Sequence, residues 1–212
     1  VLVPVLWGAK GNHENALHIH LPLEDVTFIF LNLDTHLEDF KFWMAHELAH
    51  VLTPELSGSN EGEDFADAFA GALLYPQACA TEAYRDAIRH TKSDKMIGVL
   101  MREAETHMIS LNTVFQEVRR HAGATGQRPL PIEETAIHAW RNSLRGPLVS
   151  EALFDPMPPS AERYVAACEN TFQTGFFHAL KHLIVEGGTG PAYIQQVLDT
   201  PLHDAMALHE EL

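Results

Sequence analysis

Two histidines four residues apart, with a glutamate directly after the first, constrain this chain more than any other feature. His46-Glu47-Leu48-Ala49-His50 spells H-E-x-x-H. On a helix, positions i and i+4 share a face, so both imidazoles can address one metal ion while Glu47 reaches a water beside it. The motif therefore demands a helix with a cleft in front of it. The flanks agree. Thr35-His36-Leu37-Glu38 has the T-x-x-E form of a capping box, which predicts a helix start. Phe40, Trp43, Met44, Ala45, Leu48, Val51 and Leu52 supply an apolar surface, and Pro54 ends a helix predicted over 36–52.

This is the minimal hardware for Zn2+-assisted hydrolysis of an amide, and such a site needs a third protein ligand and an open position. The metzincin spacing would put Gly and His three and six residues past His50, where Thr53 and Leu56 stand, so that class is excluded. The alternative is an acidic ligand on a second helix. Asn60-Glu61-Gly62-Glu63 opens such a helix, predicted over 61–74, and Pro76 closes it. Glu63 and Asp67 are four apart and share a face. Glu63 completes the ligand set, and Asp67 is suited to accept the N–H of a ligating His and fix its tautomer. Glu61 and Asp64 are competitors. Glu61 lies about 160° from Asp67 around a helix turning about 100° per residue, which ranks it lower.

Phe42-Trp43-Met44-Ala45-His46-Glu47-Leu48-Ala49-His50, then Glu63-Asp64-Phe65-Ala66-Asp67-Ala68-Phe69-Ala70, then Leu73-Leu74-Tyr75-Pro76 together resemble the ImmA/IrrE family of zinc metallopeptidases. The upstream Phe30-Leu31-Asn32-Leu33 is similar to that family's strand. Met108-Ile109-Ser110, with Val114, Phe115, Val118 and Arg119, is similar to a later helix. The Glu-x-x-x-Asp pair also looks like the glutamate helix of thermolysin-like enzymes. The resemblance covers residues 25 to 121. Ala49 replaces a frequent Gly, Asp67 a frequent Asn and Tyr75 a Met. The chain starts at Val1 without the family's N-terminal helices, which reads as a fragment or a shifted numbering. The resemblance implies a peptidase that cuts a helix-turn-helix repressor and so derepresses genes, in phage defence, mobile elements or stress responses.

Charge bounds the partners. With 14 Lys+Arg against 29 Asp+Glu the net charge is −15, which repels a phosphate backbone and suits a basic protein. Arg119, Arg120, His121, Arg128, Arg141 and Arg145 are the one basic cluster in sequence, and they read first as cations near helix C-termini. Two cysteines, Cys79 and Cys168, give no disulfide framework, which predicts a reducing cytoplasm. No apolar run approaches the roughly 18 residues of a membrane helix. The start VLVPVLW is short and lacks a basic region, so it does not read as a signal peptide.

The expected fold is α+β. Segments 2–7, 16–20 and 25–33 read as strands of a small antiparallel sheet packed on the two motif helices. Helices follow over 79–91, 93–107 and 110–122. The Gly- and Pro-rich stretch from Gly123 to Pro131 reads as a linker, dividing a peptidase domain, 1–123, from a helical C-terminal region, 124–212. That region holds a helix at 132–143, a long helix from Ser160 to Gly187-Gly188 and a last one over 190–210, and is open to a regulatory, homodimerising or lid role. Its His178-Ala179-Leu180-Lys181-His182 repeats the i, i+4 histidine spacing without a central Glu, so it reads as a solvated face.

The reaction needs more than a metal and a base. Tyr84, His90 and His107 are candidate oxyanion donors by residue type. Cys79 is a candidate inhibitory thiolate for the open metal position, weighed against an ordinary buried thiol. Val26, Phe28, Phe30 and Asn32 mark a candidate edge strand on which an extended substrate could lie. Two other functions stand beside the repressor peptidase: a non-catalytic regulator that binds a partner or nucleic acid, and a general peptidase.

Overall fold

The structure is a computed structural model that describes residues 1–8, 14–143 and 145–212. The fold is α+β, with three strands and 11 helices among the described residues. The chain forms two compact units, Val1–His36 with Pro147–Leu212, and Leu37–Gly146.

In the first unit, β1 (Leu2–Val5), β2 (Ala16–Leu21) and β3 (Val26–Asn32) form a sheet of order β1-β3-β2. β2 and β3 are an antiparallel hairpin, but β1 runs parallel to β3, with Val3 opposite Phe30. The sheet is therefore mixed rather than antiparallel, because the hairpin presents its second strand to β1. This corrects the reading of Val26, Phe28, Phe30 and Asn32 as an edge strand: β3 is paired on both sides. Its β-branched and aromatic run suits burial on both faces. Asn32 is fully buried; its Nδ2 donates to Gly8 O at 3.2 Å and Glu14 O at 3.3 Å, and its Oδ1 accepts from Asp34 N at 3.0 Å. Its amide thus staples neighbouring chain segments.

The second unit begins with α1 (Leu37–Leu52), a short 3-10 turn (Pro54–Leu56) and α2 (Asn60–Leu74). One oxygen of the Glu38 carboxylate accepts the Gly146 N–H at 3.0 Å. Ser59 caps α2, accepting the Gly62 N–H at 3.0 Å. Then come α3 (Gln77–Ala87), α4 (Ser93–His107), α5 (Leu111–Ala124) and α6 (Glu134–Ser143). Their core holds Ile97, Leu100, Val114 and Val118, and also Leu130, Ile132 and Ile137. Tyr84 Oη donates to Arg128 O at 2.8 Å, and Ser93 Oγ to Pro131 O at 3.2 Å. The Gly/Pro stretch is thus bound into this unit, and the division expected at Gly123 falls inside it.

The chain returns to the first unit through α7 (Val149–Leu153), which the sequence did not announce. Ser150 N donates to Leu33 O at 2.7 Å and Ser150 Oγ to Asp34 at 2.6 Å. The expected long helix is two, α8 (Ala161–Phe172) and α9 (Phe176–Gly187). Gln173 takes a left-handed conformation, and Thr174 Oγ1 accepts the Phe176 N–H at 3.2 Å. The last helix is also two, α10 (Pro191–Leu198) and α11 (Leu202–Glu211), broken where Asp199 is left-handed and Pro201 lacks an N–H. Hydroxyls of Tyr164 and Thr174 donate to the β1 carbonyls of Pro4 and Leu2. Burial pushes the Cys168 thiol up to about 12. No helix among the described residues is long and apolar enough to cross a membrane.

Candidate metal centre

A seam of small residues brings the two motif helices together. Ala45 and Ala49 on α1, and Gly62, Ala66 and Ala70 on α2, are all buried. On α2 they recur every four residues, so they form one stripe. Helix axes approach according to the side chains between them, and here those side chains are methyl groups or nothing. The helices run antiparallel, since His50 meets Glu63 while His46 meets both Glu63 and Asp67.

Three donors converge at the seam's edge. His46 Nε2 lies 3.2 Å from His50 Nε2 and 3.2 Å from Glu63 Oε2, and His50 Nε2 lies 3.4 Å from Glu63 Oε1. A tetrahedral zinc site with bonds of 2.0–2.1 Å has ligand–ligand edges of about 3.3–3.4 Å. The three separations are close to such edges, the two to Glu63 ending on different oxygens of its carboxylate, and the donors are the nitrogen and oxygen types zinc accepts. His46, His50 and Glu63 could hold such an ion. Glu61 and Asp64, the rival acids, are exposed and outside this group.

Asp67 supplies the orienting contact. Its Oδ1 is 2.9 Å from His46 Nδ1, which assigns the ring proton to Nδ1 and turns the Nε2 lone pair toward the other donors. Burial pulls the His46 pKa down, but the Asp67 hydrogen bond and the charges of Glu47, Asp67 and Glu63 outweigh it, and the net displacement is upward. Without metal the site is thus poised to hold a proton in the ion's place. Trp43 and Phe42 pack on His46, with ring centroids at 5.3 and 6.2 Å. Glu47 is buried at 5% exposure in the turn between the histidines, placed by the motif itself.

The remaining candidates fall elsewhere. Tyr84 is buried in the α3–α5 core with its hydroxyl bound to Arg128 O, so that hydroxyl serves the fold rather than an oxyanion. His90 is exposed just past α3. His107 stands edge-on to Tyr75 at 5.1 Å and 3.8 Å from Glu103. Cys79 packs against the same core and is not among the converging donors. Three members of the basic cluster are matched by acids: Arg119 lies 3.9 Å from Glu134, and Arg120 and Arg141 pair with Glu117 and Asp39. The signal in the sequence for this seam is the four-residue spacing of the small residues Gly62, Ala66 and Ala70. Comparison with protein-family models, curated proteins and solved structures returns no match to this chain.

Proposed function

We propose that the chain is a zinc-dependent peptidase of the ImmA/IrrE kind, and that it cuts one basic helix-turn-helix repressor in a reducing cytoplasm. The convergence of His46, His50 and Glu63 on one metal-sized triangle carries the reading. Bound there, zinc would acidify a water and polarise a scissile carbonyl. The chain's own residues do the rest. Asp67 holds the His46 ring by its Nδ1 proton. Glu47 takes a proton from the attacking water and hands it to the leaving amine. The net charge of −15 favours a basic partner over nucleic acid, and the motif resemblance supplies the repressor as substrate.

Glu47→Gln keeps the shape of this buried side chain and removes the base. Co-expressed with a helix-turn-helix repressor that the wild-type chain cleaves, the variant should retain zinc and lose about 10²–10⁴-fold in cleavage rate. Cleavage at the wild-type rate would end the proposal. Cleavage of short peptides with the repressor left intact would replace it by a general peptidase.

A further inference from the structure

We infer that Gly62 and Gly71 are positioning residues for the metal centre, seating α2 at two points so that Glu63 and Asp67 meet the histidines. The inference rests on the zinc reading above. At the first point, a Cβ on Gly62 would sit 2.2 Å from the carbonyl oxygen of Leu56 and 3.0 Å from its carbon. That obstacle is backbone, and it belongs to the 3-10 turn joining α1 to α2. At the second, a Cβ on Gly71 would sit 1.8 Å from Glu117 Oε1, 2.7 Å from Glu117 Cδ and 3.1 Å from Arg120 Nη1. The Glu117 side chain is buried and held by Arg120, so the carboxylate is clamped on α2 by its own ion pair.

The two contacts bracket the ligands. Gly62 immediately precedes Glu63, and Gly71 is one turn past Asp67 on the same face of α2. Relieving a 2.2 Å contact to an ordinary separation moves α2 by about 1 Å, whereas metal–ligand bonds tolerate about ±0.2 Å. Glu63 and Asp67 ride on that helix, so they leave the triangle while the helix itself stays folded. Alanine is moreover the better helix former of the two residues. A purely structural account expects the substitution to change thermal unfolding alone and to leave metal binding by the folded chain as it was. A positioning account expects weaker metal binding from a helix at least as well formed.

The test measures zinc affinity of the full chain by competition with a chromophoric chelator, alongside helix content and thermal unfolding of the metal-free protein. Gly62→Ala should bind zinc at least tenfold more weakly, with metal-free helix content unchanged. Gly71→Ala should lose several-fold, and Glu117→Ala in the same chain should restore most of that loss by vacating the space. That coupling does not depend on Gly62→Ala folding well. Wild-type binding with both glycine variants within threefold of it would overturn the inference and leave the zinc reading standing. A wild-type chain that takes up no zinc would overturn both.

Discussion

The molecule carries the His-x-x-x-His spacing twice, on α1 and on α9, and the two places share little else. His46 and His50 are buried at 5% and 3% exposure, with Glu63 and Asp67 brought to them from another helix. His178 and His182 are exposed, and His182 lies 3.4 Å from Glu186 of its own helix. Helical periodicity gives both pairs one face. What separates them is a second element close enough to supply a third donor, and a tight seam that lets it approach. Spacing proposes a site; packing assembles it.

The widest separation between the two pairs should appear on removing a ligand. His46→Ala should abolish stoichiometric zinc, measured by elemental analysis after dialysis, whereas His182→Ala should leave both zinc content and cleavage at wild-type level. Loss of zinc in the second variant would mean the comparison has the wrong pair.

The seam comes next. Ala66→Leu inserts three carbons where α1 and α2 touch, an overpacking that costs about 1–3 kcal/mol. Zinc affinity should fall more than tenfold as the triangle opens. Unfolding midpoint and metal titration separate the two effects; a destabilised variant with unchanged zinc affinity would show that the seam holds the fold without holding the site.

The smallest expected effect is in pH. The folded-state pKa of His46 is raised above its ordinary value of 6.5. In the metal-free protein its contribution to stability is therefore fully present below about pH 6.5, the unfolded value, and is lost as pH rises through the folded one. Zinc affinity should climb over the same window as the competing proton leaves. Metal-free chemical denaturation at several pH values should show this trend, and His182→Ala should not alter it. A metal-free stability that rose with pH through this window in wild type, but not in His46→Ala, would contradict the assigned shift.

Much of the site's layout was readable because it is local. Turn geometry alone puts His46 beside His50 and Glu63 beside Asp67, and prolines mark where both helices stop. What escaped depends on partners distant in sequence. Nothing in Val26-Thr27-Phe28-Ile29-Phe30 tells a central strand from an edge; that requires knowing that β1 takes its outer side. Tyr84 and His107 carry suitable functional groups by residue type, but those groups meet Arg128 and Tyr75 instead. Gly123 to Pro131 has the composition of a linker, yet Leu130 and Ile132 lie in the helical core. Gln173 ends α8 by adopting a left-handed conformation that no turn-forming residue type announced.

The hydroxyls of Tyr164 and Thr174 have a consequence for self-association. An exposed sheet edge is a template for another chain, and a sheet open on both edges can extend without limit. Here side chains occupy carbonyls on β1, while no further strand lies beyond β2 among the described residues. With the β1 carbonyls of Leu2 and Pro4 already taken by side chains, that edge is a poor template for another chain, which limits open-ended growth of the sheet.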